Sequence, residues 1–404
     1  MSVKNIERKI ISGHRLTSDD ALSLFQSDDI FTIGRLANLV AEKKNGKNAY
    51  FIRNHHINPT NICVNRCKFC AFSRSKGEKG AFELSIKEII EKLKEESRVK
   101  SQESRNETRE KSSNKKHLTL NSKLLTPYTE VHIVGGLHPD WQFDFYIELL
   151  GQIKKHFPQM HVKAFTAVEI DYLSRLSGLS LSDTLKELKT AGLDSMPGGG
   201  AEIFDARVRN KICPEKISGR RWLQIMKAAH NAGIKTNATM LYGHLETYKH
   251  RVEHMFKLRE LQDRTGGFQA FIPLAFHPMN TKLGTRVKGQ GSSKIRTADP
   301  QSPIPTPLHY TSGIDDLKTI AISRLFLDNF QHIKAYWIML GEKIAQIALK
   351  FGADDLDGTI IEEKITHSAG ALSGSAMTRA QLINLIEKAG KVPVERDSFY
   401  RPVI

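Results

Sequence analysis

Cys63, Cys67 and Cys70 stand in the order C-x3-C-x2-C, three of the four cysteines in a chain of 404 residues. Three thiolates this close on one loop can hold a single inorganic centre. Iron–sulfur clusters are normally carried by four thiolates. Three would leave one iron without a protein ligand, and an open iron is a place for chemistry. A zinc ion would instead need a fourth protein ligand, for which His55 or His56 is at hand. The bland alternative is three buried cysteines that bind nothing, and the spacing favours the cluster. Cys213, alone in Lys211-Ile212-Cys213-Pro214, has no partner at ligand spacing and reads as a packed thiol.

A reactive loop needs a rigid frame, and the rest of the chain supplies a repeating one. Residues 4–45 read as helical, with the cap-like Ser18-Asp19-Asp20 ahead of apolar positions at helical spacing. Tyr50–Ile62 reads as a strand running into the cysteine loop, and Phe82–Leu93 as a helix. Strands are then expected at Val131–Val134, His161–Val168, Leu193–Pro197, Ile234–Tyr242, Gly267–Phe276, His332–Leu340 and Asp357–Ile361. Helices are expected between them at Phe143–Ile153, Leu181–Thr190, Ser218–Ala232, Thr247–Asp263, Ile314–Asn329 and Glu342–Phe351. Strands alternating with helices of this length imply βαβ units around a parallel sheet. An open doubly wound sheet usually carries a G-x-G-x-x-G turn after its first strand, and none follows Ile62. The expected fold is therefore α/β, a (β/α) TIM-type barrel, complete or nearly complete. The expected divisions are an N-terminal helical segment (1–48), the barrel (49–365) and a C-terminal extension packing on it (366–404).

In such barrels the active site sits at the C-terminal ends of the strands. Those ends carry the cysteine loop, Gly135-Gly136-Leu137-His138, Thr166-Ala167-Val168-Glu169, Pro197-Gly198-Gly199-Gly200, Asn237–His244, His277-Pro278 and Tyr336-Trp337. Any one glycine run is weak evidence, since turn glycines are common. Their coincidence with successive strand ends is stronger.

Hydrophobic content of 40% and charged content of 26% are those of a soluble globular protein. No apolar run is long enough to span a membrane, and the N-terminus lacks the apolar core of a secretory signal. Cysteines grouped three plus one are no disulfide framework, so a cytoplasmic, reducing setting is expected. The net charge of +16 invites a nucleic-acid reading. Half of that surplus, however, lies in two polar segments, 98–126 and 285–310, that read as solvated surface insertions. The remainder is spread thinly, and no dedicated nucleic-acid surface is expected.

The C-x3-C-x2-C loop resembles the signature of the radical S-adenosylmethionine superfamily. The likeness extends through Asn61–Phe72, Glu130–Pro139, His161–Tyr172, Ala191–Pro214, Asn237–Thr247, Thr265–Thr281, Asp328–Leu340 and Gly352–Thr366. These stretches resemble the aminofutalosine synthase family of the futalosine route to menaquinone. The two polar segments look longer than that family needs.

The resemblance implies a [4Fe-4S] cluster on Cys63, Cys67 and Cys70, with S-adenosylmethionine consumed as a co-substrate. Phe69 would lean on the adenine, Gly135 and Gly136 would meet the methionyl amine, and Glu169 would take the ribose hydroxyls. The implied substrate is 3-[(1-carboxyvinyl)oxy]benzoate. A deoxyadenosyl radical would add to its enol-ether double bond, with rearrangement and loss of a carboxyl as carbon dioxide or bicarbonate. 6-Amino-6-deoxyfutalosine and methionine would be the products. A dianion needs donors, and backbone N–H groups of Gly198, Gly199 and Gly200 could form a nest for one carboxylate. Asn237, His277 and His138 could add side-chain contacts, while no acid or base residue is assigned. The implied partner is a reducing electron donor of the flavodoxin or ferredoxin type. Rival expectations are a dehypoxanthine futalosine cyclase, a deazaflavin-precursor synthase and, in a different class, a zinc-containing nucleic-acid-binding protein.

Overall fold

In a computed structural model of the protein the described residues are 3–95, 129–284, 311–360, 364–374 and 376–403. The polar segments 98–126 and 285–310 lie outside them. Seven strands form one parallel sheet in chain order: β2 (Asn54–Ile57), β3 (Glu130–Ile133), β4 (His161–Ala164), β5 (Ser195–Met196), β6 (Lys235–Tyr242), β7 (Phe268–Ala275) and β8 (His332–Ile333). Parallel neighbours need long crossovers. From β3 onward these are the helices Phe143–His156, Ala167–Ser177, Leu181–Ala191, Ala206–Ile212, Gly219–Asn231, Tyr248–Thr265 and Gly313–Phe326. Most begin at a side-chain cap. Ser218 accepts from the amide of Arg221, and Thr247 and Thr166 form capping boxes with His250 and Glu169.

The sheet corrects the expectation of a complete barrel. Among the described residues β8 does not pair with β2, so the architecture is an open seven-stranded half-barrel. A second parallel sheet, ordered β10-β1-β9, is built from β1 (Asn48–Ile52), β9 (Asp355–Gly358) and β10 (Val392–Glu395). One bridge, Lys334 to Asp355, links it to the first. The single strand expected over Tyr50–Ile62 is thus two strands in two sheets, broken at Arg53. The strand expected at Asp357–Ile361 is β9, outside the half-barrel.

Three other strands are much shorter than expected, and β5 keeps only Ser195–Met196 of Leu193–Pro197. β4 stops at Ala164 because Thr166 caps a helix that begins at Ala167. β8 stops at Ile333, and Trp337–Leu340 is a helical turn. Both runs are apolar, and apolar runs alone do not separate a strand from a buried helix. The helices Ala167–Ser177 and Ala206–Ile212 were not anticipated.

One hydrophobic core joins helices and sheet, with Trp222 and Trp337 fully buried in it. The N-terminal helices Ser18–Gln26 and Ile30–Asn45 pack against Gly313–Phe326. There the Lys318 ammonium donates to the carbonyl of Ser27 at 2.7 Å. Among the described residues, no helix is long and apolar enough to cross a membrane.

Candidate active site at the strand ends

The cysteine loop follows β2 and is held by its backbone. The amide of Cys63 donates to the carbonyl of Arg74 at 3.0 Å, Val64 to Leu137 at 3.0 Å, and Lys68 to Ile212 at 2.8 Å. The loop packs so closely on the turn after β3 that a β-carbon on Gly136 would lie 2.1 Å from the carbonyl oxygen of Ile62. Only glycine fits there. The three thiols are free, with no disulfide, and all face a cavity of about 330 Å³ inside the half-barrel.

This donor set fits a cluster better than a single ion. One zinc ion would draw its ligands to a common point at bond distance. Among the described residues no three His, Cys, Asp or Glu side chains converge in that way. A cluster asks less, since each thiolate binds a different iron. His55 and His56 lie on β2, and His56 lines the cavity in a T-shaped contact with His132 at 4.6 Å between ring centroids.

The structure brings together Phe69, Gly135, Gly136, Glu169, Gly198, Gly199, Gly200, Asn237 and His277 with the three cysteines on the wall of that cavity. His138 is the exception. It is buried beneath the turn, stacks on Trp141 at 4.5 Å, pairs with Glu83 at 2.6 Å and accepts from the amide of Asp140 at 3.2 Å. Its neighbours make it a structural brace, and it does not line the cavity.

Glu169 is both a cap and a wall. Its carboxylate accepts from the amides of Thr166 at 2.6 Å and Gly135 at 3.3 Å. Burial, only partly offset by these bonds, raises its pKa to about 7. The N–H of Gly136 is committed as well, donating to Thr60 O at 2.8 Å. An incoming amine would therefore use carbonyl acceptors in this turn.

The glycine run after β5 is fixed from behind by its carbonyls. Gly198 O accepts from Thr239 Oγ1 at 2.6 Å, Gly199 O from Trp222 Nε1 at 3.1 Å, and Gly200 O from Arg209 Nη2 at 3.3 Å. On the neighbouring strand, a register shift between β6 and β7 flanks Asn237, a common device for re-aiming a side chain. His277 Nε2 is 3.0 Å from Met339 O.

The sequence reading missed the charges inside the half-barrel. Lys163 donates to Glu130, Lys334 to Asp357, each at 2.6 Å, and Lys216 to Glu202 at 2.7 Å. All six line the cavity. Burial opposes ionisation of Glu130, yet the Lys163 ammonium outweighs it and holds the carboxyl below its ordinary range. His56, His132 and Lys163 are aligned across β2, β3 and β4 in register, so they form one row on the inner face. Burial, aided by Lys163, lowers His132 to about 4, so its ring is neutral at neutral pH. Its Nε2 has no hydrogen-bond partner among the described residues. A lone lysine inside an apolar strand, as in Val162-Lys163-Ala164, was the available signal. Lys216 also lies 5.0 Å from the centre of the Phe69 ring, a cation–π contact beneath the cysteine loop.

A parallel half-barrel with a three-cysteine loop at its strand ends defines a class, the radical S-adenosylmethionine enzymes. A model of the radical SAM superfamily matches residues 121–258, beyond the cysteine loop, and one of the CofH/MqnC C-terminal region matches 304–403. Among solved structures, methylornithine synthase superposes with a TM-score of 0.66 at 16% identity, covering 96% of this chain and 97% of that one. The FeFe-hydrogenase maturase HydG from Carboxydothermus hydrogenoformans gives 0.69 at 15% identity, covering 99% and 80%. At that identity the likeness concerns the fold. Aminodeoxyfutalosine synthase of Thermus thermophilus is 42% identical over 98% of this chain and 95% of its own. The Streptomyces coelicolor protein of the same name is 40% identical over 98% and 93%. The 5-amino-6-(D-ribitylamino)uracil–L-tyrosine 4-hydroxyphenyl transferase of Methanococcoides burtonii is 37% identical over 96% of both. The chain belongs to the radical SAM family that contains aminodeoxyfutalosine synthase.

Proposed function

We propose that this protein is an aminodeoxyfutalosine synthase, joining the deoxyadenosyl group of S-adenosylmethionine to 3-[(1-carboxyvinyl)oxy]benzoate. The observation that carries the reading is the full-length similarity at 42% to an enzyme of that name. The assembly of nearly every nominated residue around one cavity supports it. When bound, a [4Fe-4S] cluster would supply the electron for reductive cleavage of S-adenosylmethionine, the radical chemistry that addition to the enol-ether double bond requires.

The chain's own residues bind, orient and exclude water. Cys63, Cys67 and Cys70 would hold three irons of the cluster. Carbonyls of the Gly135–Gly136 turn take the methionyl amine, Glu169 accepts from ribose hydroxyls, and Phe69 covers the adenine. The substrate's enolpyruvyl end must face the cysteine loop, so its ring carboxylate points to the inner row. There Lys163 and Lys334 each have one carboxylate partner and three ammonium protons to share. His132 Nε2 supplies a further donor. The second carboxylate lies near Gly198–Gly200, with Asn237 and His277 on the same wall. The free cysteines suit a reducing cytoplasm.

The test is anaerobic incubation of reconstituted protein with S-adenosylmethionine, dithionite and the enolpyruvyl benzoate. Mass spectrometry is expected to find 6-amino-6-deoxyfutalosine and methionine. Free deoxyadenosine without the adduct would overturn the reading. So would an adduct formed only when L-tyrosine and 5-amino-6-(D-ribitylamino)uracil replace the benzoate.

A further inference from the structure

Behind the cysteine loop, on the outer face, the helices Gly219–Asn231 and Tyr248–Thr265 border a groove of about 720 Å³. Arg220 and Lys227 on the first helix, and Lys257 and Arg264 on the second, are each seven residues apart. Such spacing puts each pair on one helical face. Among the described residues the groove lining contains no carboxylate. Among the described residues none of these four cations forms an ion pair, and Glu260, a helical turn from Lys257 and Arg264, does not line the groove. Uncompensated charge of one sign in a cleft focuses its field on an incoming partner.

The groove's inner wall is Cys213 and Lys216. Lys216 also lines the central cavity and lies beside Phe69. The cysteine loop is bonded to the same segment through the Lys68 amide and Ile212 carbonyl at 2.8 Å. One short stretch of chain, Ile212 to Lys216, thus separates the basic groove from the thiols. Electron transfer between proteins weakens steeply with distance, so this is where a carrier could approach closely.

We propose that this groove docks an acidic one-electron carrier protein and that Arg220, Lys227, Lys257 and Arg264 receive its carboxylates. The inference rests on the reading of Cys63, Cys67 and Cys70 as cluster ligands. The carrier is oxidised by one electron and the cluster reduced by one, and no bond forms or breaks. Electron-transfer encounters are small and owe their rates to electrostatic steering, so the contact should be salt-sensitive.

The test uses the holoprotein with an acidic flavodoxin and an acidic ferredoxin as probes, and the triple variant R220E/K227E/K257E. Calorimetry at low and high salt reads the affinity for the oxidised carriers. Deoxyadenosine formation is then driven either by a reduced carrier or by dithionite. The reversal should weaken carrier binding by about tenfold or more and slow carrier-driven turnover to match. Dithionite-driven turnover should stay unchanged, and R220Q/K227Q/K257Q should fall between. Three results would each overturn the proposal: no salt-sensitive binding of either carrier, equal loss with both reductants, or tighter binding to a single-stranded RNA 20-mer than to either carrier. If the wild type forms no adduct with dithionite while carrier binding behaves as described, the proposed reaction fails and the docking surface stands.

Discussion

At Gly136 a single added methyl group would meet backbone, 2.1 Å from Ile62 O and 2.7 Å from Ile62 C. Neither atom can swing aside as a side chain would. Gly136→Ala should therefore displace the cysteine loop, and iron retained after reconstitution should fall well below wild type, read by iron analysis and visible absorbance. Glu169 yields a prediction in pH. Its folded pKa of about 7 exceeds the ordinary 4.5 because of burial. Between those values the folded apoprotein holds a proton that the unfolded chain has lost, so stability falls as pH rises through that window. The whole effect is about 3 kcal/mol. Denaturant titrations of the apoprotein from pH 4.5 to 7 should show that slope in the wild type and lose most of it in Glu169→Gln. At this scale the gathering of the cysteines, the glycines and Glu169 on one cavity wall was legible, because each stands at the end of a strand that the sequence pattern marks. His138 misled, since a histidine after a strand end can as easily brace the turn as face the ligand. Lys163 and Lys334 were passed over because a charge within an apolar strand says that something is buried with it, and not what.

Between elements, buried ion pairs do the joining. Arg324, fully buried on the helix Gly313–Phe326, donates to Asp354 at 2.5 Å and to Gly352 O at 2.8 Å. Asp354 also receives the amide of Ile333 at 2.8 Å, which ties β8 to the residues entering β9. Removing one partner of such a pair strands the other charge away from water. Arg324→Met should cost about 3–5 kcal/mol, seen as a lower urea midpoint with little change in slope. Existence and order of the half-barrel strands could be read from alternating apolar runs. Their ends could not, because Thr166 and Tyr336 stop β4 and β8 by starting helices inside sequences that remain apolar. The Thr166–Glu169 capping signature was present and would have shortened β4 if weighed against hydrophobicity.

Across the whole molecule, sequence order and spatial order part company at Arg53. The chain leaves β1 for β2 there, and β1 pairs with β9 and β10 from the far end of the sequence. No local pattern announces that pairing, which is why a closed barrel seemed the simpler sum of the strands. Arg396 is buried against Asp355, its Nε 2.8 Å from Oδ2. Ending the chain at residue 375 would remove β10 and leave Asp355 in the interior without its guanidinium. Such a truncated chain should fail to give soluble protein with a cooperative thermal transition, whereas Arg379→Ala, which removes an exposed arginine and leaves Glu395 its second partner Arg53, should melt near the wild-type temperature. The late strands also impose a timetable. Asp357, Thr366 and Ala369 form part of the cavity wall that the cysteines face, and they leave the ribosome long after Cys70. At ordinary rates of synthesis the interval is on the order of tens of seconds. For that time the nascent thiols lack that wall, so, if they are the cluster's ligands, translation speed and iron supply should bear jointly on the yield of cluster-loaded protein.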